Sequence, residues 1–119
     1  MKQITEDYVS YEIAVLLKEK GFTQFTNMGY MEGVLTNVSV FQVEHNPDRF
    51  EAYAYTHQMA LKWLRENNLY IEIRRSLNTF YYGWKVEQGI SEKATFDYKY
   101  DFYEQAVEAA ILYVLKNLI

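Results

Sequence analysis

The sequence predicts an α+β fold: a small antiparallel sheet of three to four strands, with three helices packed mainly on one face. Two observations indicate this class. Between Thr56 and Glu87 the hydrophobic period changes from 3.6 to 2, so that a helix, THQMALKWLREN, leads into a hairpin, LYIEIRRSLNTFYYGWKVE. Amphipathic helical segments also lie near both ends of the chain. With 119 residues, half of them hydrophobic, we expect residues 1–119 to form a single domain.

The first helix is predicted within Thr5 to Lys20, where apolar residues recur at helical spacing. Thr5 or Ser10 could cap its N-terminus, and Ser10 is preferred. Gly21 is expected to end the helix in the left-handed conformation, with Phe22 folding back onto it.

The stretch from Phe22 to Tyr55 has the weakest pattern. Its β-branched segment from Gly33 to Glu44 changes phase near Val40, which predicts a strand with a bulge or two short extended pieces. We expect the aromatic residues that follow to be irregular or edge contacts onto the core: Phe50, Tyr53 and Tyr55.

The helix of the central stretch is expected to begin after Thr56 and to end at Asn67-Asn68. In the hairpin, alternation predicts a core face and a solvated face. The core face comprises Leu69, Ile71, Ile73, Tyr82, Trp84 and Val86. A third strand is predicted over Ala94–Tyr98, and the last helix is predicted to open with a capping box at Asp101. The predicted core is Trp63, Leu64, Ile71, Ile73, Trp84, Ala110, Ile111 and Val114.

Composition narrows the classes of function. There is no cysteine, which excludes disulfides and thiolate-held metals. The net charge of −4 makes nucleic acid an unfavourable partner, because phosphate binding relies on clustered Lys and Arg. The first residues show no apolar signal region, and no apolar run approaches the length of a membrane span. We therefore expect a cytoplasmic protein without a membrane partner.

No residue pattern indicates catalysis or cofactor binding. The two histidines, His45 and His57, are separated by a whole segment instead of a ligand-like spacing, so no metal site is predicted. Carboxylate pairs such as Glu44/Asp48 lie in polar contexts, whereas hydrolysis needs one carboxylate in an apolar cleft. Nucleophile motifs and phosphate-binding loops are absent. The sequence thus favours a non-enzymatic protein with no catalytic residues, cofactor or metal.

Tyrosine is abundant, with 12 in the chain. Tyr70, Tyr81, Tyr98, Tyr100 and Tyr103 could form an exposed stacking platform, or they could simply stabilise the sheet. The solvated face of the hairpin is the predicted binding surface, and it consists of Tyr70, Glu72, Arg74, Tyr81 and Lys85.

Three segments together resemble a known family: VSYEIAVLLKEKGF, THQMALKWLREN and YEQAVEAAILYVLKNLI. The family consists of small proteins from gut Bacteroidetes and their phages and mobile elements. It has no established activity, so the resemblance implies only a bacterial or phage-related cytoplasmic protein. The leading hypothesis is a protein that binds another protein or forms a homodimer. The alternative is binding of single-stranded nucleic acid or carbohydrate through the tyrosine-rich sheet face, and a small hydrolase is a third.

Overall fold

A computed structural model describes residues 6–94 and 96–119. The chain divides into two compact units, and the boundary between them in the sequence falls between His57 and Gln58. The α+β class and the antiparallel pairing are confirmed. The expectation of one sheet with three helices is wrong, because the strands form two separate three-stranded sheets and the described residues contain four helices. The candidate cap Thr5 lies outside the described residues.

The first unit contains α1 (Tyr11–Glu19), β1 (Met28–Met31), β2 (Val34–Asn37), α2 (Val40–His45) and β3 (Phe50–Tyr53), and its sheet has the order β2-β1-β3. Helix α1 packs against β3. The ring of Tyr30 is buried, and its hydroxyl donates to the carbonyl oxygen of Val9 at 2.7 Å. This bond ties the middle strand to the segment that leads into α1.

Both predicted ends of α1 are confirmed. The Ser10 hydroxyl accepts from the backbone N–H of Ile13 at 3.4 Å. At the other end Gly21 has a φ of +101°, and the N–H of Phe22 donates to the carbonyl of Leu17 at 2.9 Å. Because Gly lacks a Cβ, it adopts this left-handed conformation without steric cost and turns the chain back onto the helix.

The segment Gly33–Glu44 is not a bulged strand. It forms β2 and then α2, and the phase change near Val40 marks the start of the helix. The Ser39 hydroxyl accepts from the N–H of Gln42 at 3.2 Å, while the Gln42 side chain accepts from the N–H of Ser39 at 2.9 Å. This reciprocal capping box outweighs the β-branched composition. Phe50 and Tyr53, expected to be irregular or edge contacts, lie in the edge strand β3, and Tyr55 is buried just after it.

The second unit contains most of α3 (His57–Glu66), then β4 (Leu69–Arg75), β5 (Tyr82–Gln88), β6 (Ser91–Ala94) and α4 (Tyr103–Asn117). Its sheet has the order β4-β5-β6. Asn68 has a φ of +65°, so the predicted left-handed end of α3 is confirmed. Helix α4 packs on β4 and β5, and the Trp84 ring lies 5.1 Å from the ring of Tyr113 on that helix.

The predicted division of the hairpin into two faces is confirmed by its register. Ile71 pairs with Val86 and Ile73 pairs with Trp84, so the predicted core residues share one face. Burial is uneven within the predicted core. Leu64, Ala110, Ile111 and Val114 are fully buried, whereas Trp63, Ile71, Ile73 and Trp84 are only half-buried.

Two expectations for the C-terminal third are wrong. The third strand spans Ser91–Ala94, and after it residues 96–99 leave the sheet before Tyr100 pairs with Tyr82. The last helix is capped one residue later than predicted. The Gln105 side chain accepts from the N–H of Phe102 at 3.2 Å, so Phe102 takes the position expected for Asp101.

Candidate functional site

The outer face of the β4–β5 hairpin, opposite α4, carries the predicted binding surface. Its charged side chains form ion pairs along each strand and, between Lys85 and Glu72, across the two strands. Arg74 lies 2.9 Å from Glu72, and Lys85 bridges Glu72 at 3.3 Å and Glu87 at 3.0 Å. The register explains this arrangement, because Glu72 stands directly opposite Lys85 and same-face partners lie within side-chain reach.

The ion pairs shift the protonation equilibria of these groups toward the charged forms. The hydrogen bond from Arg74 lowers the pKa of Glu72 below its usual value. Hydrogen bonds to Glu87 and Glu72 raise the pKa of Lys85, and the bond to Glu72 raises the pKa of Arg74. Each pKa is moved further from neutral pH, so the three groups stay charged there and none of them is suited to proton transfer.

Residues 96–99 further cover this outer face. The Arg74 guanidinium lies 4.3 Å from the centre of the Phe96 ring, and Phe96 stacks on Tyr98 at 5.4 Å with an interplanar angle of 7°. Tyr98 in turn lies over Gly83, where a Cβ would stand 3.0 Å from its ring carbon Cδ1. Glycine at this position permits the ring to lie against the strand.

The five tyrosines do not share one plane or one face. Tyr98 covers the outer face, whereas Tyr103 is the first residue of α4 and meets the Tyr82 ring edge-on at 6.0 Å. Tyr82 lies on the inner face with Trp84, so Tyr98 and Tyr103 lie on opposite sides of the hairpin. Among the predicted surface residues, Tyr70, Tyr81, Glu72 and Arg74 are all exposed, and Lys85 is half-buried.

Five exposed apolar side chains lie on the two chain segments that come together at the loop end of the same hairpin. We name them the hairpin-end patch, and they are Leu77, Phe80, Tyr81, Phe102 and Tyr103. These side chains are between 40% and 82% exposed. Tyr82 joins the two chain segments, because its N–H donates to the carbonyl of Tyr100 at 2.7 Å and its ring contacts Tyr103.

The loop conformation holds the apolar side chains of the patch outward. Ser76 closes the loop, since its N–H donates to the carbonyl of Tyr81 at 2.8 Å and its hydroxyl accepts from the N–H of Asn78 at 3.3 Å. Phe80 has a φ of +63°, and the Arg75 guanidinium lies 4.6 Å from its ring centre. A bulky residue in this left-handed region is a backbone outlier, which strained functional surfaces often contain.

Of this patch, the sequence pattern indicated Tyr81 in the predicted binding surface and Tyr103 in the possible tyrosine platform, but not the other three residues. Phe80 was placed in the second strand, but β5 begins at Tyr82. Leu77 could have indicated this patch from the sequence, because it is the one apolar residue in the turn Arg75-Ser76-Leu77-Asn78.

The two histidines lie in different surroundings. The His45 ring stacks on Phe41 at 4.0 Å, and His57 is buried at the start of α3. Across residues 6–94 and 96–119, no three His, Asp or Glu side chains come together in a way that could hold a metal ion. In the same residues, no helix has the length and apolar character needed to cross a membrane.

Comparisons with known proteins leave the class of this chain open. No family model matches it, and searches of curated proteins and of solved structures found no match.

Proposed function

We propose that the chain is a non-enzymatic, phage- or mobile-element-related cytoplasmic protein that acts by binding another protein through the hairpin-end patch. The single observation that carries the binding proposal is the size of this exposed apolar surface. At the exposed fractions given above, five large side chains of roughly 200 Å² each present on the order of 600 Å² to solvent. That is at the upper end of what a monomer leaves exposed. The phage setting and the cytoplasmic location rest on the sequence alone.

Backbone strain within the patch supports the same function. The left-handed conformation of Phe80 costs roughly 1–2 kcal/mol compared with the right-handed one. The ring does not recover this cost by burial, because 59% of Phe80 is exposed. A strained and exposed aromatic residue gains its stabilising contacts when a partner covers it, as the aromatic anchors of protein interfaces do.

Charge around the patch defines the chemistry of the partner. Asp101 and Glu104 are exposed beside Phe102 and Tyr103, whereas the nearby cation of Arg75 is already stacked on Phe80. An acidic rim around an apolar centre favours a partner with an apolar surface and a basic rim. The same rim repels phosphate groups, so it disfavours nucleic acid and anionic lipid.

An apolar dye tests whether the patch is one exposed surface. The folded protein should enhance the fluorescence of anilinonaphthalene sulfonate, and Leu77→Glu combined with Phe102→Glu should remove more than half of the enhancement. Ile90→Glu is the matched control, because Ile90 is equally accessible at the tip of the β5–β6 turn but lies outside the patch. Equal loss in the control would show that the patch is not a distinct binding surface.

A photo-crosslinking residue at Leu77, in cells of the native host, tests for a partner. We expect one discrete adduct, obtained again with the crosslinker at Phe102 and lost when Phe80→Glu is added. The crosslinker at Ile90 should not give this adduct. A pattern of adducts that is the same at Leu77, Phe102 and Ile90 would contradict binding through the hairpin-end patch.

A further inference from the structure

Strand β2 lies at one edge of the first unit's sheet. Among residues 6–94 and 96–119 its one strand partner is β1, and three of its four residues are exposed. The strand Val34–Asn37 contains no charge and no proline, the devices by which proteins block unwanted pairing at sheet edges. Helix α2 follows directly, and no residue of it is buried.

The hydrogen-bond register shows which backbone groups are directed away from β1. The N–H of Val38 donates to the carbonyl of Asn27 at 2.9 Å, and Met31 pairs with Val34 across the two-residue turn. Residues of the same parity as Val34 and Val38 therefore direct their backbone groups to β1. Leu35 and Asn37 direct theirs outward, because this direction alternates along an antiparallel strand.

We infer that β2 pairs with β2 of a second copy of this chain, antiparallel about a two-fold axis at Thr36. In this register Leu35 stands opposite Asn37 of the second copy, and Asn37 stands opposite its Leu35. About four backbone hydrogen bonds then pair every outward N–H and C=O of these two residues. The two sheets join into one continuous sheet of six strands.

Self-complementarity favours a second copy over an unrelated peptide. In a two-fold dimer, β2 pairs with an identical strand. Any charged residue within β2 would therefore lie near the same charge of the second copy. No residue of β2 carries a charge. The nearest one on the same hairpin, Glu32, is already paired with Arg49 at 2.9 Å.

The buried area determines how strong this dimer is. Val34, Leu35, Val40 and Phe41 are between 40% and 65% exposed. Together they present roughly 400 Å² per copy, so even complete burial of all four side chains would cover at most about 800 Å² in total, below the size of stable interfaces. The dimer is therefore weak and dependent on concentration.

A single engineered cysteine tests the register, since the chain has none of its own. Thr36→Cys places two thiols at the axis in a non-hydrogen-bonded pair, where Cα atoms lie about 4.5 Å apart, within disulfide range. Mild oxidation at high protein concentration should convert most of this variant into a covalent dimer. Asn78→Cys, exposed in the β4–β5 loop, should give at least fivefold less. Equal crosslinking of the two variants would overturn the pairing.

Sedimentation equilibrium up to roughly 1 mM protein tests the association without a crosslink. The unmodified chain should show reversible dimers, and Leu35→Lys should abolish them by placing two cations beside the axis. Leu77→Lys in the hairpin-end patch should leave them unchanged. A monomer at all concentrations would overturn the β2 dimer, and so would dimers that only Leu77→Lys removes, which would assign self-association to the patch instead.

Discussion

Gly83→Ala introduces a methyl group where the Tyr98 ring lies against β5. The new Cβ would stand 3.0 Å from Tyr98 Cδ1 and 3.3 Å from the carbonyl carbon and oxygen of Asp97. Carbon atoms pack best at about 3.5–4.0 Å, so the ring and its backbone must retreat by roughly 0.5–1 Å. Overpacking of this kind costs about 1–3 kcal/mol, and the better strand propensity of alanine returns about 0.5–1 kcal/mol. We expect a net loss of about 1–2 kcal/mol in the free energy of unfolding.

A double-mutant cycle with Tyr98→Ala separates the steric effect from propensity. Removal of the ring leaves only the contacts with the Asp97 backbone at 3.3 Å, so Gly83→Ala should then cost about 1 kcal/mol less than in the presence of the ring. Urea denaturation followed by circular dichroism measures all four proteins. The cost of the alanine substitution should therefore be smaller in the Tyr98→Ala background.

Gly33→Ala serves as the matched control in this cycle. Gly33 has a φ of +78° and no atom within 4 Å of an added Cβ, so alanine there suffers backbone strain alone. It should cost about 1–2 kcal/mol with or without the Tyr98 ring. If Gly83→Ala costs the same in both backgrounds, the contact with Tyr98 does not determine the need for glycine.

Three further changes test the fold. Gly21→Val should lower the free energy of unfolding by about 1–2 kcal/mol, measured as a lower melting temperature, because valine strains at the φ of +101°. Leu64→Ala should cost about 3 kcal/mol in urea denaturation and exceed Trp63→Ala, since Leu64 is fully buried and Trp63 only half-buried. Tyr55→Phe should cost about 1–2 kcal/mol, because the hydroxyl donates to the carbonyls of Phe22 and Gln24. Burial, together with the nearby Tyr53, raises the pKa of Tyr55 in the folded state. The free energy of unfolding is therefore unaffected below the unfolded-state pKa of about 10 and falls as the pH rises above it. Tyr55→Phe should reduce this alkaline decline in a series of urea midpoints measured at increasing pH.

Local rules predicted the parts of the fold that local chemistry determines. Ser10 and Gly21 were assigned correctly because capping depends on a few neighbouring residues. The two faces of the β4–β5 hairpin were predicted because successive side chains in a strand point to opposite faces of the sheet. Helix α2 was not predicted, because the β-branched composition of Gly33–Glu44 favours a strand. The residues that cap the helix, Ser39 and Gln42, are local and are present in the sequence.

The candidate sites depended on contacts between distant residues. The predicted surface around Glu72 and Arg74 followed from the alternation of side chains along the strands. This alternation does not show that Phe96 lies against Arg74. The division into two sheets likewise depends on pairing between β1 and β3, which are far apart in the chain. Sequence patterns do not encode such pairings directly. The hairpin-end patch likewise depends on the contact between Tyr82 and Tyr103, which are distant in the chain.

Glu51 gives the first unit a shared point of attachment. It is the residue left unpaired by the irregularity between β1 and β3, and its carboxylate accepts from the Tyr11 hydroxyl on α1 and from the N–H of Gly33 in the β1–β2 turn. One half-buried side chain thereby connects α1, the β1–β2 turn and β3, so that their local opening is coupled. The hydrogen-exchange rate of the Gly33 amide should therefore report whether α1 is docked, and Tyr11→Phe should accelerate exchange at a turn more than twenty residues away along the chain.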